Sequence, residues 1–347
     1  MNNDVLLWLD ILDKTKELFL TAKCQDVSKE DINKIVADLD AMERMLAPKQ
    51  HFSLAFSGMT NVGKSTLLNA LLGDSVAPTK NCPWSSTAVE YQYSSNKYEI
   101  VVPLENYRSL HRQFDTSQQL LSALKQFAVQ GSAYQTDKPL VVRLPNELLC
   151  GDITIVDTPG FGATDGNDEN ALHDDVLLTY LKKREQTLRI FWIVKDNISE
   201  SSVSFFKEHL AGSCSDLIVN LTDDFEGDFI NLFEERYKPA VGHTVHFHYV
   251  DAKTAAKAEK EGNIELQRKT GITDLKSYLS SFATPKGRTN LIEKDLLVFF
   301  QSVSDYLYLT NHYHCEWQPT AWGTLASLLM KTDSHELNRI FCELKGV

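Results

Sequence analysis

Ser53-Leu-Ala-Phe-Ser-Gly58-Met-Thr60-Asn61-Val62-Gly63-Lys64-Ser65-Thr66-Leu-Leu-Asn69 decides how the rest of the chain is read. A short apolar run that suits a strand leads into it, and a helical pattern over Lys64–Leu72 follows it. Between the two lies GxxxxGK[ST]. Its glycines, Gly58 and Gly63, let the backbone curl so that successive N–H groups point at phosphate oxygens. The helix starting near Lys64 adds its positive end. Lys64 reaches the β- and γ-phosphates, Ser65 places a hydroxyl on Mg2+, and Thr60, Asn61, Val62 and Thr66 complete the loop. Kinases, ATPases and GTPases all use such a loop, so the base must be read from residues further along.

Outward from this loop the pattern alternates. Apolar runs at Phe52–Phe56, Lys97–Val102, Ile153–Val156, Arg189–Val194, Leu217–Asn220 and Val245–Val250 read as strands. Helices are expected at Lys64–Leu72, Ala171–Lys183, Ser202–Leu210, Phe229–Tyr237 and Ile272–Phe282. Alternation of this kind predicts an α/β domain over residues 50–286 with a mostly parallel sheet and helices on both faces. The polar stretch at about 103–137, including SLHRQFDTSQQLLSALKQF, reads as a helical insertion. Residues 1–49 read as two helices, the second capped by Ser28 with Asp31 three residues on. Residues 287–347 turn helical again through Leu291, Ile292, Leu296, Phe299, Phe300, Val303 and Leu307. Shorter helices are expected near Ala321–Met330 and Ser334–Leu344.

Composition bounds the function. The 347 residues are 43% hydrophobic and 24% charged, enough for a full core in about two domains. Lys plus Arg is 35 against 47 for Asp plus Glu, a net charge of −12. That balance argues against gripping nucleic acid or anionic lipid through bulk charge. No apolar run has the length of a transmembrane helix, and the N-terminus lacks a basic leader. The six cysteines form no CxxC pair and read as reduced thiols of a cytoplasmic protein. His246 and His248 share a strand face, and His312, His314 and Cys315 cluster later, but neither group shows a full set of metal ligands. Trp317 and Trp322 read as helix-packing residues.

Three further stretches fit a nucleotide site. Ile153-Thr-Ile-Val-Asp157-Thr158-Pro159-Gly160 is a strand ending in an Asp that suits the water shell of Mg2+. The Gly160 N–H that follows suits the γ-phosphate. The polar run from Gly160 to Asp175 holds no Gln, so the attacking water must be ordered by another group. Thr79, Ser85, Ser86 and Thr87 are the candidate hydroxyls for a first switch, and Thr87 is favoured because an extended run begins beside it. Asn220-Leu221-Thr222-Asp223 ends another strand and is similar to the guanine motif NKxD, whose Asp accepts from the N1–H and exocyclic amine of guanine together. Asp251-Ala252-Lys253 follows the next strand, with Lys253 placed to cover the base.

The ordered set GMTNVGKST, SSTAV, DTPG, NLTD and DAK resembles a GTPase. NLTD is similar to the guanine motif NKxD with Leu221 in place of Lys, and DAK is similar to SAK. More narrowly, NVGKSTLLNALLGDSVAP, STAVEYQYSSNKYEIVV and LPNELLCGDITIVDTPGF resemble the bacterial dynamin-like proteins over roughly residues 50–285. The Era-like GTPases, which share the NVGKST loop, are the broader relatives. The resemblance implies Mg2+-dependent GTP binding and hydrolysis, with Lys64, Thr87, Asn61 and Gly160 in the catalytic site and Ser65, Thr87 and Asp157 around Mg2+. It implies K+ or Na+ at Asn61, for which a loop-shaping role is the alternative. It also implies a helical neck from residues 1–47 and about 288–312. Partners would be GTP and GDP, a second copy across the GTPase head or a second dynamin-like subunit, and a membrane bound peripherally. Dynamins continue into a long stalk, whereas only about 60 residues follow the head here. The competing readings are an Era-like, RNA-associated GTPase and a nucleotide-binding scaffold without turnover.

Overall fold

A computed structural model of the chain describes residues 3–24, 28–46, 52–73, 75–78, 88–104, 109–127, 139–151, 153–158, 160, 187–195, 200–206, 210, 215–221, 233–235, 246–309 and 315–346. The chain opens with α1 (Asn3–Thr21), β1 (Lys23–Cys24) and α2 (Lys29–Leu46). There follow β2 (Phe52–Gly58), α3 (Lys64–Leu72), β3 (Val89–Tyr93), β4 (Tyr98–Pro103), β5 (Ser109–Phe114), α4 (Ser117–Phe127), β6 (Leu140–Leu144), β7 (Ile153–Asp157) and β8 (Thr187–Lys195). Then come α5 (Glu200–Phe205), β9 (Ser215–Asn220), β10 (Phe247–Val250), α6 (Ala252–Glu261), α7 (Ile264–Lys269) and α8 (Ile272–Ser281). The last elements are α9 (Pro285–Leu309), β11 (Cys315–Glu316), α10 (Pro319–Leu329) and α11 (His335–Gly346).

Among the described residues, nine strands form one sheet in the order β10-β9-β8-β2-β7-β3-β6-β4-β5. The pairings from β10 to β7, and that of β3 with β6, are parallel. Those of β3 with β7, β4 with β6 and β4 with β5 are antiparallel. The sheet is therefore mixed, with its parallel part where the phosphate loop sits. Central β2 is buried along its whole length, which is why it reads as an unbroken apolar run. One face carries Phe56, Phe191, Ile218 and Val250, packed with helix residues such as Leu67, Ala255 and Leu275. The other carries Ala55, Val156, Trp192 and Val219 under Phe205 and Phe206. There the Trp192 ring stacks on Phe205 at 4.8 Å and its Nε1 donates to Ser202 at 3.0 Å.

The helical reading of the whole stretch near 103–137 is corrected. Its first part is β5, the sheet's edge strand, and only Ser117–Phe127 is a helix among the described residues. Leu110 and Phe114 lean on the core while His111, between them, bonds Glu99 across the strands at 2.9 Å. Two apolar residues spaced four apart fit a helix or one strand face equally well, and pairing with β4 settles the matter. Strand β6 and helices α6 and α7 are further elements that the apolar pattern did not single out. The helices expected at Ala171–Lys183 and over most of Phe229–Tyr237 lie outside the described residues.

Both ends of the chain fold together. Phe19 of α1 meets Phe299 of α9 edge-on at 5.5 Å and Trp317 at 5.4 Å. Trp322 of α10 stacks on Phe341 of α11 at 4.4 Å, and Phe341 meets Phe300 at 5.7 Å. Strand β1 pairs with β11 through Lys23↔Glu316 and Cys24↔Cys315. Ser28 caps α2 as its spacing predicts: Asp31 N donates to Ser28 Oγ at 3.1 Å, and that hydroxyl donates to Asp31 Oδ2 at 2.7 Å.

Buried charge joins this bundle to the sheet. Arg189 of β8, fully buried, pairs with Asp216 of β9 at 2.8 Å and with Asp295 of α9 at 2.7 Å. His246 Nε2 lies 2.5 Å from Asp295 Oδ1, and His248 Nε2 lies 3.3 Å from Asp216 Oδ2. Burial alone would push the Asp216 carboxyl up. The Arg189 guanidinium, the bond from His248 and the nearby imidazoles win, and hold it far below the usual carboxylate range. Two turns before Asp295, Arg288 lies over the Phe52 ring at 4.2 Å and donates to Phe282 O at 2.8 Å. The two histidines are thus fastened to carboxylates that Arg189 already holds. No group of three or more metal-ligating side chains occurs among the described residues.

Candidate nucleotide site

The phosphate loop joins the C-terminal end of β2 to the start of α3, where Gly63 occupies the N-cap position. Gly63 has φ +89°, and a Cβ there would fall 2.2 Å from Asn220 Nδ2. Only glycine takes that backbone shape while leaving room for the amide. The Asn220 amide is the reason for the close approach. Its Nδ2 donates to Val62 O at 2.7 Å, and its Oδ1 accepts from Ala252 N at 3.2 Å. One side chain thereby ties the phosphate loop, the end of β9 and the start of α6 together. Gly58 is equally constrained, since a Cβ would lie 2.5 Å from Ile193 O of β8.

Lys64 forms an ion pair with Asp157, the strand-end residue of β7, and both side chains are largely buried. The two charged groups that the sequence assigns to phosphate and Mg2+ therefore face each other. Thr158 fastens the same strand end to β2: its N and Oγ1 both donate to Phe56 O, at 3.1 and 2.9 Å. Gly160 lies against the phosphate loop, with a hypothetical Cβ 3.1 Å from Thr60 Cγ2. Asn61 is exposed and has φ +63°, a left-handed conformation that asparagine tolerates better than other side-chain-bearing residues. Ser65 and Thr66 lie in the first turn of α3, half-buried.

At the end that the sequence assigns to the base, Leu221 N donates to Val250 O at 2.8 Å, and the Leu221 side chain packs on the Trp192 side of the core. Asp251 caps α6 by accepting from Thr254 N at 2.9 Å, and Lys253 is exposed in the helix's first turn. Thr87, the competing Thr79, Ser85 and Ser86, and Asp223 of the NLTD stretch lie outside the described residues. The structure brings Gly58, Thr60, Gly63, Lys64, Asp157, Gly160, Asn220 and Ala252 to one end of the parallel strands. Thr158, within DTPG, and Asn69, at the end of the phosphate-loop stretch, contribute through backbone partners that motif spacing does not reveal.

Part of the sequence is similar to a known family. Residues 54–223 match the dynamin family model, which spans the phosphate loop, Asp157 and Asn220. Over those residues the chain is similar to the dynamin family. The chain is also similar in part to the Probable GTP-binding protein EngB of Petrotoga mobilis (strain DSM 10674 / SJ95). That likeness is 35% identity over 69 residues, 20% of this chain and 35% of EngB. Two solved structures, both described as an oligomerised bacterial dynamin pair for long-range sensing and tethering of membranes, are similar over 89% and 90% of this chain. They share 18% and 15% identity, with TM-scores of 0.47 and 0.48. The chain covers 45% and 49% of them, so it spans about half their length.

Proposed function

We propose that this chain binds GTP with Mg2+ and hydrolyses it, and that a monovalent cation and a second copy of the head raise its rate. The Lys64–Asp157 ion pair, at a phosphate loop locked by Asn220, carries the reading. Lys64 and Asp157 neutralise each other, and a nucleotide with its Mg2+ offers both a stronger partner: phosphate for the lysine, the hydrated cation for the carboxylate. Oxygen donors of this kind fit Mg2+, with Ser65, Asp157 and Thr87 as its holders. When bound, the ion neutralises charge between the β- and γ-phosphates. Lys64 and the loop N–H groups bind the phosphates, Gly160 N–H faces the γ-phosphate, and Thr87 orders the first switch. Asn220, Asp223, Asp251, Ala252 and Lys253 form the guanine site. The EngB name, a GTP-binding protein, supports the same base.

Asn61 is the proposed holder of K+ or Na+, its exposed side chain standing on the loop's left-handed turn. The cation would stand in for an arginine finger. Residues 1–49 and 287–347 serve as neck and assembly helices around a GTPase domain at 50–286. Assembly through the head and peripheral attachment to a membrane belong to the same proposal. Among the described residues, no helix is long and apolar enough to cross a membrane. The test is a GTPase titration in K+, in Na+ and in a bulky organic-cation buffer, paired with light scattering. The expected result is a rate per molecule that rises with protein concentration and is higher in K+ or Na+, with ATP a poor competitor. GTP binding without turnover leaves the scaffold reading, and copurifying RNA leaves the Era-like one.

A further inference from the structure

Strand β7 ends on Asp157, which lies opposite Phe56 of β2 on one side and Val89 of β3 on the other. The bonds at that last rung set where the Asp157 carboxylate stands. Thr158, one residue on and fully buried, makes two of them to one atom. Its N–H donates to Phe56 O at 3.1 Å, as the next rung of the parallel ladder, and its Oγ1 donates to the same oxygen at 2.9 Å. A carbonyl oxygen has two lone pairs, so both bonds fit. Two residues past Phe56 the chain reaches Gly58, which Ile193 O of the next strand holds in close contact. The clamp thus ties the strand end that bears Asp157 to the strand that launches the phosphate loop. Lys64, at the far end of that loop, meets the same carboxylate as an ion pair.

The hydroxyl is not needed to satisfy Phe56 O, because the Thr158 N–H already does so. What it adds is closeness. The hydroxyl oxygen stands 2.9 Å from the carbonyl oxygen, whereas a methyl carbon keeps a distance of about 3.3 Å or more. Val has the shape of Thr with a methyl group in place of the hydroxyl, so Thr158→Val pushes the end of β7 away from β2. Thr158→Ser keeps the clamp.

We infer that Thr158 is a positioning residue of the nucleotide site, its hydroxyl fixing the Asp157 carboxylate against the phosphate loop and so setting how far Mg2+ tightens nucleotide binding. This rests on the GTP and Mg2+ reading proposed above, in which Asp157 faces the hydrated cation. Lys64 and the loop N–H groups bind phosphate without help from Thr158. The side chain therefore governs the Mg2+-dependent part of the affinity and leaves the rest unchanged.

The experiment is calorimetric titration of a non-hydrolysable GTP analogue, once with Mg2+ and once with EDTA, on the wild type, Thr158→Val and Thr158→Ser, with a melting curve for each. The readout is the ratio of the two affinities, which a general loss of stability does not move. The ratio is expected to be at least about fivefold smaller in Thr158→Val and within about twofold of wild type in Thr158→Ser. The affinity in EDTA is expected to stay within about threefold of wild type in both. Should Thr158→Val fail to fold, Thr158→Ala decides by the same ratio, since it removes the hydroxyl without setting a methyl group against the carbonyl. An unchanged ratio in the folded variants that lack the hydroxyl, whatever their melting temperatures, overturns the inference and leaves Thr158 a purely structural residue. So does an equal loss of affinity in Mg2+ and EDTA, or a ratio in Thr158→Ser as low as in Thr158→Val. A wild type that binds no analogue, or binds it equally in Mg2+ and EDTA, overturns the underlying reading and the inference with it.

Discussion

At the residue scale, the site turns on contacts too close for a substitute. Gly63→Ala would place a methyl group 2.2 Å from the Asn220 amide while straining a backbone at φ +89°. The amide would then have to release Val62 O, and the phosphate loop would lose its lock. We expect Gly63→Ala to abolish measurable nucleotide binding. Lys64→Ala, which removes charge without disturbing the fold of the loop, should weaken GTP at least about tenfold. Calorimetry on both variants checks this, and wild-type affinity in Lys64→Ala would remove the phosphate-loop assignment. The loop was legible in the sequence because phosphate geometry dictates its spacing, glycines included. Asn220 was legible as a strand-end residue, although its bond to Val62 O, the contact that makes Gly63 obligatory, was not. The bonds of Asn69 and Thr158 were not legible either, since their partners are backbone groups brought near only by the fold.

At the element scale, β9 shows how one strand serves two ends of the domain. Asp216 and Asn220 lie four residues apart, so period-two alternation puts them on the same face. Asn220 holds the phosphate loop, and Asp216 shares Arg189 with Asp295 of α9. A buried pair of this kind fixes the position of α9 more than it adds stability, but removing one partner leaves a charge stranded. Asp295→Ala is therefore expected to lower the unfolding free energy by about 3–5 kcal/mol, read by chemical denaturation at neutral pH. Asp216 adds a pH signature. Its carboxyl is held below the unfolded value, so its stabilisation is complete above about pH 4 and is lost as pH falls toward the folded value. Wild type should lose stability steeply below pH 4, and Asp216→Asn, less stable at pH 7, should show a shallower acid slope. Equal slopes would remove Asp216 from the account. The strands of the parallel core were readable because burial on both faces leaves an unbroken apolar run. Edge strand β5 was not, for SLHRQF half-buries only Leu110 and Phe114 and owes its form to pairing with β4.

At the scale of the whole molecule, the two ends of the chain make a single helical assembly. The N-terminal helices present Phe19, Leu39 and Met42 to it, all buried. The C-terminal helices present Leu296, Phe299, Phe300 and Val303, and these too are buried. Helices of this length gain most of their stability from packing an apolar face, so neither set is expected to stand without the other. The edge-on contacts of Phe19 with Phe299 and Trp317, and the pairing of β1 with β11, cross between the two sets. Removing residues 1–47 would uncover that face of α9 along with the ring of Trp317. It would also take Met45 away from Arg189, whose Nη1 lies 3.9 Å from the methionine sulfur. The sheet itself would keep its strands, and the phosphate loop its bonds to Asn220. The truncated protein is therefore expected to aggregate through its exposed helical face while any soluble fraction still binds GDP. Size-exclusion chromatography with light scattering, alongside a melting curve, checks this. A monodisperse truncation with the wild-type melting temperature would mean that α9, α10 and α11 are stable without α1 and α2, and that the two ends of the chain do not depend on each other.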